Sequence, residues 1–287
     1  MAVIRIGTEN GKVFTYFEHT GRVGVYLDND SLIDVAKTPD RASRFLAVAN
    51  SKATLMFSVM NAIDLAGPTG ATAETVRDFL NGVGANWVPL RLRPWDVITR
   101  ERGGMGPSAV FSEEFFTGYL QDRMYELSPG GGALIDMSAD SFFQLGSVVD
   151  WIQERRDSTI AQHDVLKHEV GRYVADLRAR AGQAGASVDT LIPQPGFHAS
   201  RPMSYVWPAF GRVLAQQAKS HTWMPNDAGD LLHASVALAS SSLILLDKHW
   251  KPRAQEVADG MLPGFVRVFY REELDLFLDV LESAVVE

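Results

Sequence analysis

Short aliphatic runs alternate with amphipathic stretches over both ends of the chain. Val23-Gly-Val-Tyr-Leu27, Ala53-Thr-Leu-Met-Phe57, Asn86–Arg93, Leu243-Ile-Leu-Leu246 and Phe265-Val-Arg-Val-Phe269 are dominated by apolar residues. They lack the strict polar alternation of half-exposed strands, so they predict strands buried on both faces of a parallel sheet. Helical patterns separate them. One helix begins at Leu32 and is interrupted near Pro39; the next runs from Arg41 to Asn50. A third starts behind Ser58 as N-cap, and a fourth is capped by Thr72 and runs through Phe79-Leu80. A late helix opens with Asp227 and Asp230, and Arg271–Leu281 forms a closing amphipathic helix. Strand–helix alternation of this kind implies an α/β fold with right-handed crossovers. At the N-terminus, residues 2–6 and 12–17 flank Glu9-Asn10-Gly11-Lys12, which predicts a hairpin closed by an Asn-Gly turn.

The pattern changes between residues 96 and 209. Gly103-Gly104-Met-Gly106-Pro107 and Pro129-Gly-Gly-Gly132 punctuate this segment, residues 112–127 and 140–184 read as helical, and the proline-bearing stretch 185–208 reads as loop. The expected organisation is a discontinuous α/β domain, residues 1–95 and 210–287 with a hairpin over 1–18, interrupted by a mainly helical insertion or subdomain over 96–209. There is no internal repeat.

Composition narrows the chemistry. At 287 residues with 46% hydrophobic and 22% charged residues, the chain suffices for a stable core. The absence of cysteine excludes disulfides, thiolate zinc sites and a cysteine nucleophile. The opening Met1-Ala-Val-Ile-Arg-Ile-Gly7 lacks the apolar run of a signal peptide. No window reaches the roughly 18 apolar residues of a membrane span, so a soluble cytoplasmic protein is the expectation. The net charge of −8 argues against a dedicated tight nucleic-acid binder, whose affinity would rest on Lys and Arg. It leaves room for an enzyme that neutralises phosphate with divalent cations.

Four acids occupy comparable positions. Asp28 ends the first parallel strand and Asp64 lies on the helix after the second; Asp230 begins the late helix and Asp247 ends the strand that follows it. Parallel strands share one C-terminal edge, where ligand groups collect, so these acids are candidates for a single pocket. Clustered carboxylates repel unless a cation joins them, and hard oxygen ligands suit Mg²⁺ or Mn²⁺. Asp227 is a further ligand or the helix cap. Ser58 and Asn61 beside Asp64, and Lys248 and Lys251 after Asp247, are candidate substrate contacts; Arg91 and Arg93 belong to the same basic group. His163 and His168 are five apart, not the i, i+4 spacing of a helical metal pair, and read as surface residues. His233 reads as a packed core histidine, and the six tryptophans as core or interface packing.

Tyr26-Leu-Asp28-Asn-Asp-Ser-Leu-Ile-Asp resembles the first motif of PIN-domain nucleases, and Phe57-Ser-Val-Met-Asn-Ala-Ile-Asp64-Leu the second. Asp230-Leu-Leu-His-Ala-Ser and Leu245-Leu-Asp247 resemble the third and fourth. The resemblance covers roughly residues 22–95 and 210–285. It implies a metal-dependent endonuclease, most often a ribonuclease, with Asp28, Asp64, Asp230 and Asp247 as metal ligands and no covalent intermediate. RNA is the implied substrate, with DNA the alternative polymer. Several members are toxins, which adds an antitoxin-like protein partner to the expectations. Two positions depart from the pattern: Asp64 stands where the family usually has Glu, and Leu246 where a hydroxyl residue commonly stands. The insertion is open as a lid, a recognition arm or the surface of a homo-oligomer. Two other readings stay open: a non-catalytic PIN-like module binding RNA or protein, and a haloacid-dehalogenase-like phosphatase built on Asp28 and Asp30.

Overall fold

A computed structural model describes residues 2–9, 12–19, 22–65, 70–112, 118–119, 122, 144–183, 187–220, 222–224 and 226–284. The predicted helix over 112–127 lies almost wholly outside them. Strands β1 (Ala2–Glu9) and β2 (Lys12–His19) form an antiparallel hairpin with Glu9 opposite Lys12, as the Asn-Gly signal requires; the turn itself lies outside the described residues.

The remaining strands, β3 (Val23–Leu27), β4 (Ala53–Ser58), β5 (Trp87–Leu90), β6 (Leu243–Leu246) and β7 (Arg267–Tyr270), make one all-parallel sheet of order β5-β4-β3-β6-β7. All five match predicted runs. Pro89 is tolerated because β5 is an edge strand, where a missing N–H breaks no ladder on its outer side. Alternate residues feed opposite faces. Tyr26, Met56, Val88, Ile244 and Val268 enter one hydrophobic cluster, and Val25, Leu27, Leu55, Phe57, Leu245 and Phe269 enter the other.

The second cluster is covered by α1 (Asn29–Lys37), α2 (Pro39–Ser51), α4 (Ala71–Val83), α6 (Leu145–Glu154) and α12 (Leu274–Ser283). Between β4 and α4 sits the short α3 (Val59–Leu65). Pro39 does not break a helix but begins one: it occupies the first position of α2, where its missing N–H is harmless. Thr72 is not the cap of α4; Gly70, at φ 64°, occupies the N-cap position, and Thr72 lies in the first turn.

The opposite face carries α5 (Pro94–Arg102), α7 (Arg156–Ala181), α9 (Pro202–Gln216), α10 (Asp227–Ser240) and α11 (Lys251–Asp259), with the short α8 (Val188–Leu191) beside α7 and α9. Along α7, His163, Leu166, Val170, Val174 and Leu177 are buried at spacings of three and four residues. Leu166, Val170 and Val174 join the same cluster as Tyr26 and Met56. The described part of segment 96–209 therefore shares the core of the sheet instead of building a separate one. The stretch read as loop over 185–208 contains the start of α9, which runs through Pro208. An interior proline costs about 3 kcal/mol. Burial of Val206, Phe210 and Leu214 on the same helix offsets that, at roughly 1.5–3 kcal/mol for each large apolar side chain.

Helix α9 is also capped from a distance. Glu101, at the end of α5 and only 3% exposed, accepts the Met203 and Ser204 N–H groups at 2.8 Å each and the Ser204 hydroxyl at 2.6 Å. It satisfies two of the free donors of the first turn and places negative charge at the positive end of the helix. Replacing it by alanine leaves those donors buried without partners. Glu101→Ala should lower stability by about 3 kcal/mol in urea unfolding, with Glu101→Gln losing clearly less; equal, small losses for both would deny the cap its role.

Candidate active site

The strand order reverses between β3 and β6: from β3 the chain moves outward through β4 to β5, and from β6 it moves the other way to β7. Crossovers leave these two neighbours in opposite directions, which opens a crevice above their C-terminal ends. A cavity of about 290 Å³ occupies that position. Asp28, Asp64, Asp230 and Asp247 all line it, together with Asn29, Asp30 and Lys167.

Each acid is placed by local structure. Asp28 leaves β3 as the N-cap of α1, its Oδ1 accepting the Ser31 N–H at 2.9 Å, and its own N–H donates to the Leu245 carbonyl at 3.0 Å. Asp247 follows β6 directly, and its Oδ1 accepts the His249 N–H at 2.7 Å. Asp64 sits near the end of α3, where Asn29 Nδ2 donates to its Oδ2 at 2.6 Å. Asp230 stands in the first turn of α10. Asp227 does not line the cavity; it is buried, and its Oδ2 accepts the Met224 N–H at 2.7 Å, bracing the entry to the helix. The N-cap position of α10 is held by Asn226, and Asp227 is the first residue of the helix.

A buried, uncharged network lies beneath the acids. Asn61, fully buried, accepts the Ser58 N–H at 2.9 Å, the Ser58 hydroxyl at 2.7 Å and the Tyr26 hydroxyl at 3.3 Å. Its Nδ2 donates to the Asn29 Oδ1 at 2.9 Å and the Leu27 carbonyl at 3.3 Å. Ser58 is likewise inaccessible, and its Oγ caps α3 by accepting the Asn61 N–H at 3.2 Å. The expectation that Ser58 and Asn61 touch substrate is therefore corrected: they form the floor. Tyr26 hydrogen-bonds His233 Nδ1 in the same layer. Burial pushes the His233 pKa down to about 3 and the Tyr26 hydroxyl well up, so both are neutral near pH 7.

Lys248 and Lys251 also fall outside the cavity lining. Lys248 is exposed; Lys251 is engaged by both Glu273 carboxylate oxygens at 2.6 Å and lies over the Tyr270 ring. The cation that does line the cavity is Lys167, delivered by α7. It makes no ion pair within 4 Å among the described residues. Gly229 gives it room: a Cβ there would stand 3.1 Å from Lys167 Cε and 3.2 Å from Met60 Cε. The sequence offers no local signal for this lysine, because it sits about sixty residues from the nearest acid motif, that of Asp227 and Asp230. Asn29 was legible in principle, lying inside the Asp28-Asn-Asp30 triplet. His163, read as a surface residue, is buried.

The acids pay electrostatically for their company. Burial lifts the Asp28 pKa from 3.8 to about 6, against the hydrogen bonds from Ser31, with Asp30 and Asp247 adding repulsion. Asp230 rises to about 6, first by burial and then by repulsion from Asp247 and Asp227, while Trp250 and Lys167 oppose the shift. Asp64 shifts upward by partial desolvation although its side chain stays open to solvent; Lys167 and Asn29 restrain it. Among the described residues no three His, Asp or Glu side chains are already gathered as a metal-ligand shell. The carboxylates stand around the cavity. Four carboxylates lining one cavity, with Asp28 and Asp230 desolvated by burial, suit a hard divalent cation, whose charge would offset that desolvation.

A raised carboxyl pKa means that the folded state binds the proton more tightly than the unfolded chain. The resulting penalty appears as pH rises from 3.8 toward 6 and persists above it. In EDTA at pH 7.5, Asp28→Asn, which keeps the N-cap, should raise stability by an amount on the order of 2 kcal/mol. The difference should close near pH 4. Urea titrations of both proteins at the two pH values test this; a variant less stable than wild type at pH 7.5 contradicts it.

Comparison with protein-family models, with curated proteins and with solved structures gives no match, so the reading of the site stands on its geometry.

Proposed function

We propose that the chain is a PIN-like, Mg²⁺- or Mn²⁺-dependent phosphodiesterase acting on RNA. The observation that carries the reading is the convergence of Asp28, Asp64, Asp230 and Asp247, from four separate elements, on one cavity at the strand-order reversal. Supporting it, Asp28 and Asp230 are desolvated enough for a cation to be the natural occupant, and Lys167, with no ion pair among the described residues, lines the same space.

In this reading Asp28, Asp64, Asp230 and Asp247 hold the cation. When bound, it acts as a Lewis acid toward the phosphoryl group and eases ionisation of the attacking water. The residues of the chain do the rest. Asn29 fixes the Asp64 carboxylate and Ser31 the Asp28 carboxylate, so their oxygens do not reorganise when substrate arrives. Lys167 offers positive charge to the phosphate or to the oxygen that departs from it. The neutral Tyr26–His233–Asn61 layer holds the floor rigid without adding charge that would compete with the cation.

Millimolar Mn²⁺ should raise the Tm of wild type over its value in EDTA, since a ligand bound only by the native state must stabilise it. Asp230→Asn should abolish both the shift and the Mn²⁺-dependent cleavage of single-stranded RNA. Cleavage that survives Asp28→Asn and Asp230→Asn alike would remove the carboxylates from the chemistry. A covalent aspartyl phosphatase is the competing enzyme reading, because Asp28, Asp30 and Lys167 share the cavity. Hydrolysis of a chromogenic phosphomonoester, lost equally in Asp28→Asn and Asp30→Asn, would favour it.

A further inference from the structure

A second cavity, of about 470 Å³, lies at the C-terminal end of β5. It falls in the size range of small-molecule pockets. Its apolar wall includes Val59 and Ile63 of α3 and Leu166 of α7; its polar wall includes Arg91, Arg93 and Gln162.

Its position relative to the carboxylates follows from residue phase. Val59 and Ile63 line the second cavity, while their chain neighbours Met60 and Asp64 line the first. On α7, Leu166 lines the second cavity and Lys167 the first. Helices α3 and α7 pack on each other, and the seam between them contributes residues to both spaces. The seam ends in Lys167, which faces the carboxylates. One route for the neighbouring unit of a polymer whose phosphate sits at the acids runs over this seam.

Two further observations mark the second cavity as a binding site. Arg93 is exposed and forms no ion pair among the described residues, although the chain as a whole is acidic. His163, on the cavity wall and only 6% exposed, has an Nε2 with no hydrogen-bond partner. Buried polar atoms are rarely left unsatisfied, and a polar occupant would supply what this nitrogen lacks. The cavity also contains Asp96, which disfavours a bare polyanion and suits a ligand with hydrogen-bond donors as well as a phosphate.

We propose that this second cavity is a subsite for the nucleotide adjacent to the cleaved phosphate of a single-stranded RNA. The base lies against Val59, Ile63 and Leu166, its polar edge meets Gln162 and Asp96, and its phosphate pairs with Arg93. The inference rests on the ribonuclease reading of the carboxylate cavity and gives the 96–209 segment a role: α7 supplies one wall of each space. Substrate recognition is then split, chemistry at β3 and β6 and grip at β5.

The test uses fluorescence anisotropy of a labelled oligouridylate binding to the full chain carrying Asp230→Asn, which blocks turnover. Arg93→Ala with Gln162→Ala is then added; both positions are exposed, so the fold should hold, and circular dichroism checks this. The subsite predicts an affinity loss of about tenfold, the scale of one charged contact. It also predicts a shallower dependence of log affinity on log salt, by about 0.7 for one lost phosphate contact on a single strand. An unchanged affinity and slope, with wild type cleaving RNA, overturns the subsite and leaves the nuclease reading intact. Failure of the Asp230→Asn parent to bind at any salt, with no cleavage by wild type, removes both.

Discussion

The parallel pairing of β3 with β6 is the constraint from which the rest of this molecule follows. It brings the ends of two strands more than two hundred residues apart in sequence to adjacent positions, with Asp28 and Asp247 directly beyond them. The N–H of Asp28 donates to the Leu245 carbonyl, so the acid is anchored by the sheet itself and not by a mobile loop. The crossovers diverge here, and α3 and α10 each contribute an acid to the rim of the crevice.

A carboxylate rim of that kind has a thermodynamic signature. A fold selected for stability alone would not place four carboxylates around one partly desolvated space, where burial and repulsion lift two of them to about 6. The favourable terms lie elsewhere: two clusters of aliphatic and aromatic side chains on either face of the sheet, and the distant Glu101 cap on α9. Stability is gained in the layers and given up at their shared edge, the distribution expected of a functional site.

The sheet and its acids were readable from the sequence because their signals are local. Continuous apolar runs identify buried strands, and an acid at the end of each run falls on the same edge once the strands are parallel. What escaped depends on long-range packing. Lys167 and His163 lie on α7, whose polar surface hides a buried stripe of one residue in three or four; only the sheet against which it packs determines which residues face inward. The start of α9 reads as loop in the sequence because Pro202 and Pro208 are local breakers, whereas burial of the helix overrides them. Ser58 and Asn61 carried the right local signal, a cap and an acid-flanking amide, but whether such groups point up into a cavity or down into the core is settled only in three dimensions.

The floor beneath the acids has a consequence for how the molecule meets changing surroundings. Tyr26, Ser58, Asn61 and His233 are joined by hydrogen bonds, and burial holds the one imidazole and the one phenol among them uncharged. Over the acidity range in which the carboxylate rim changes its charge most, the platform carrying that rim is electrically silent. The rim can gain or lose protons, or exchange them for a cation, while the ground it stands on neither swells nor shifts its field.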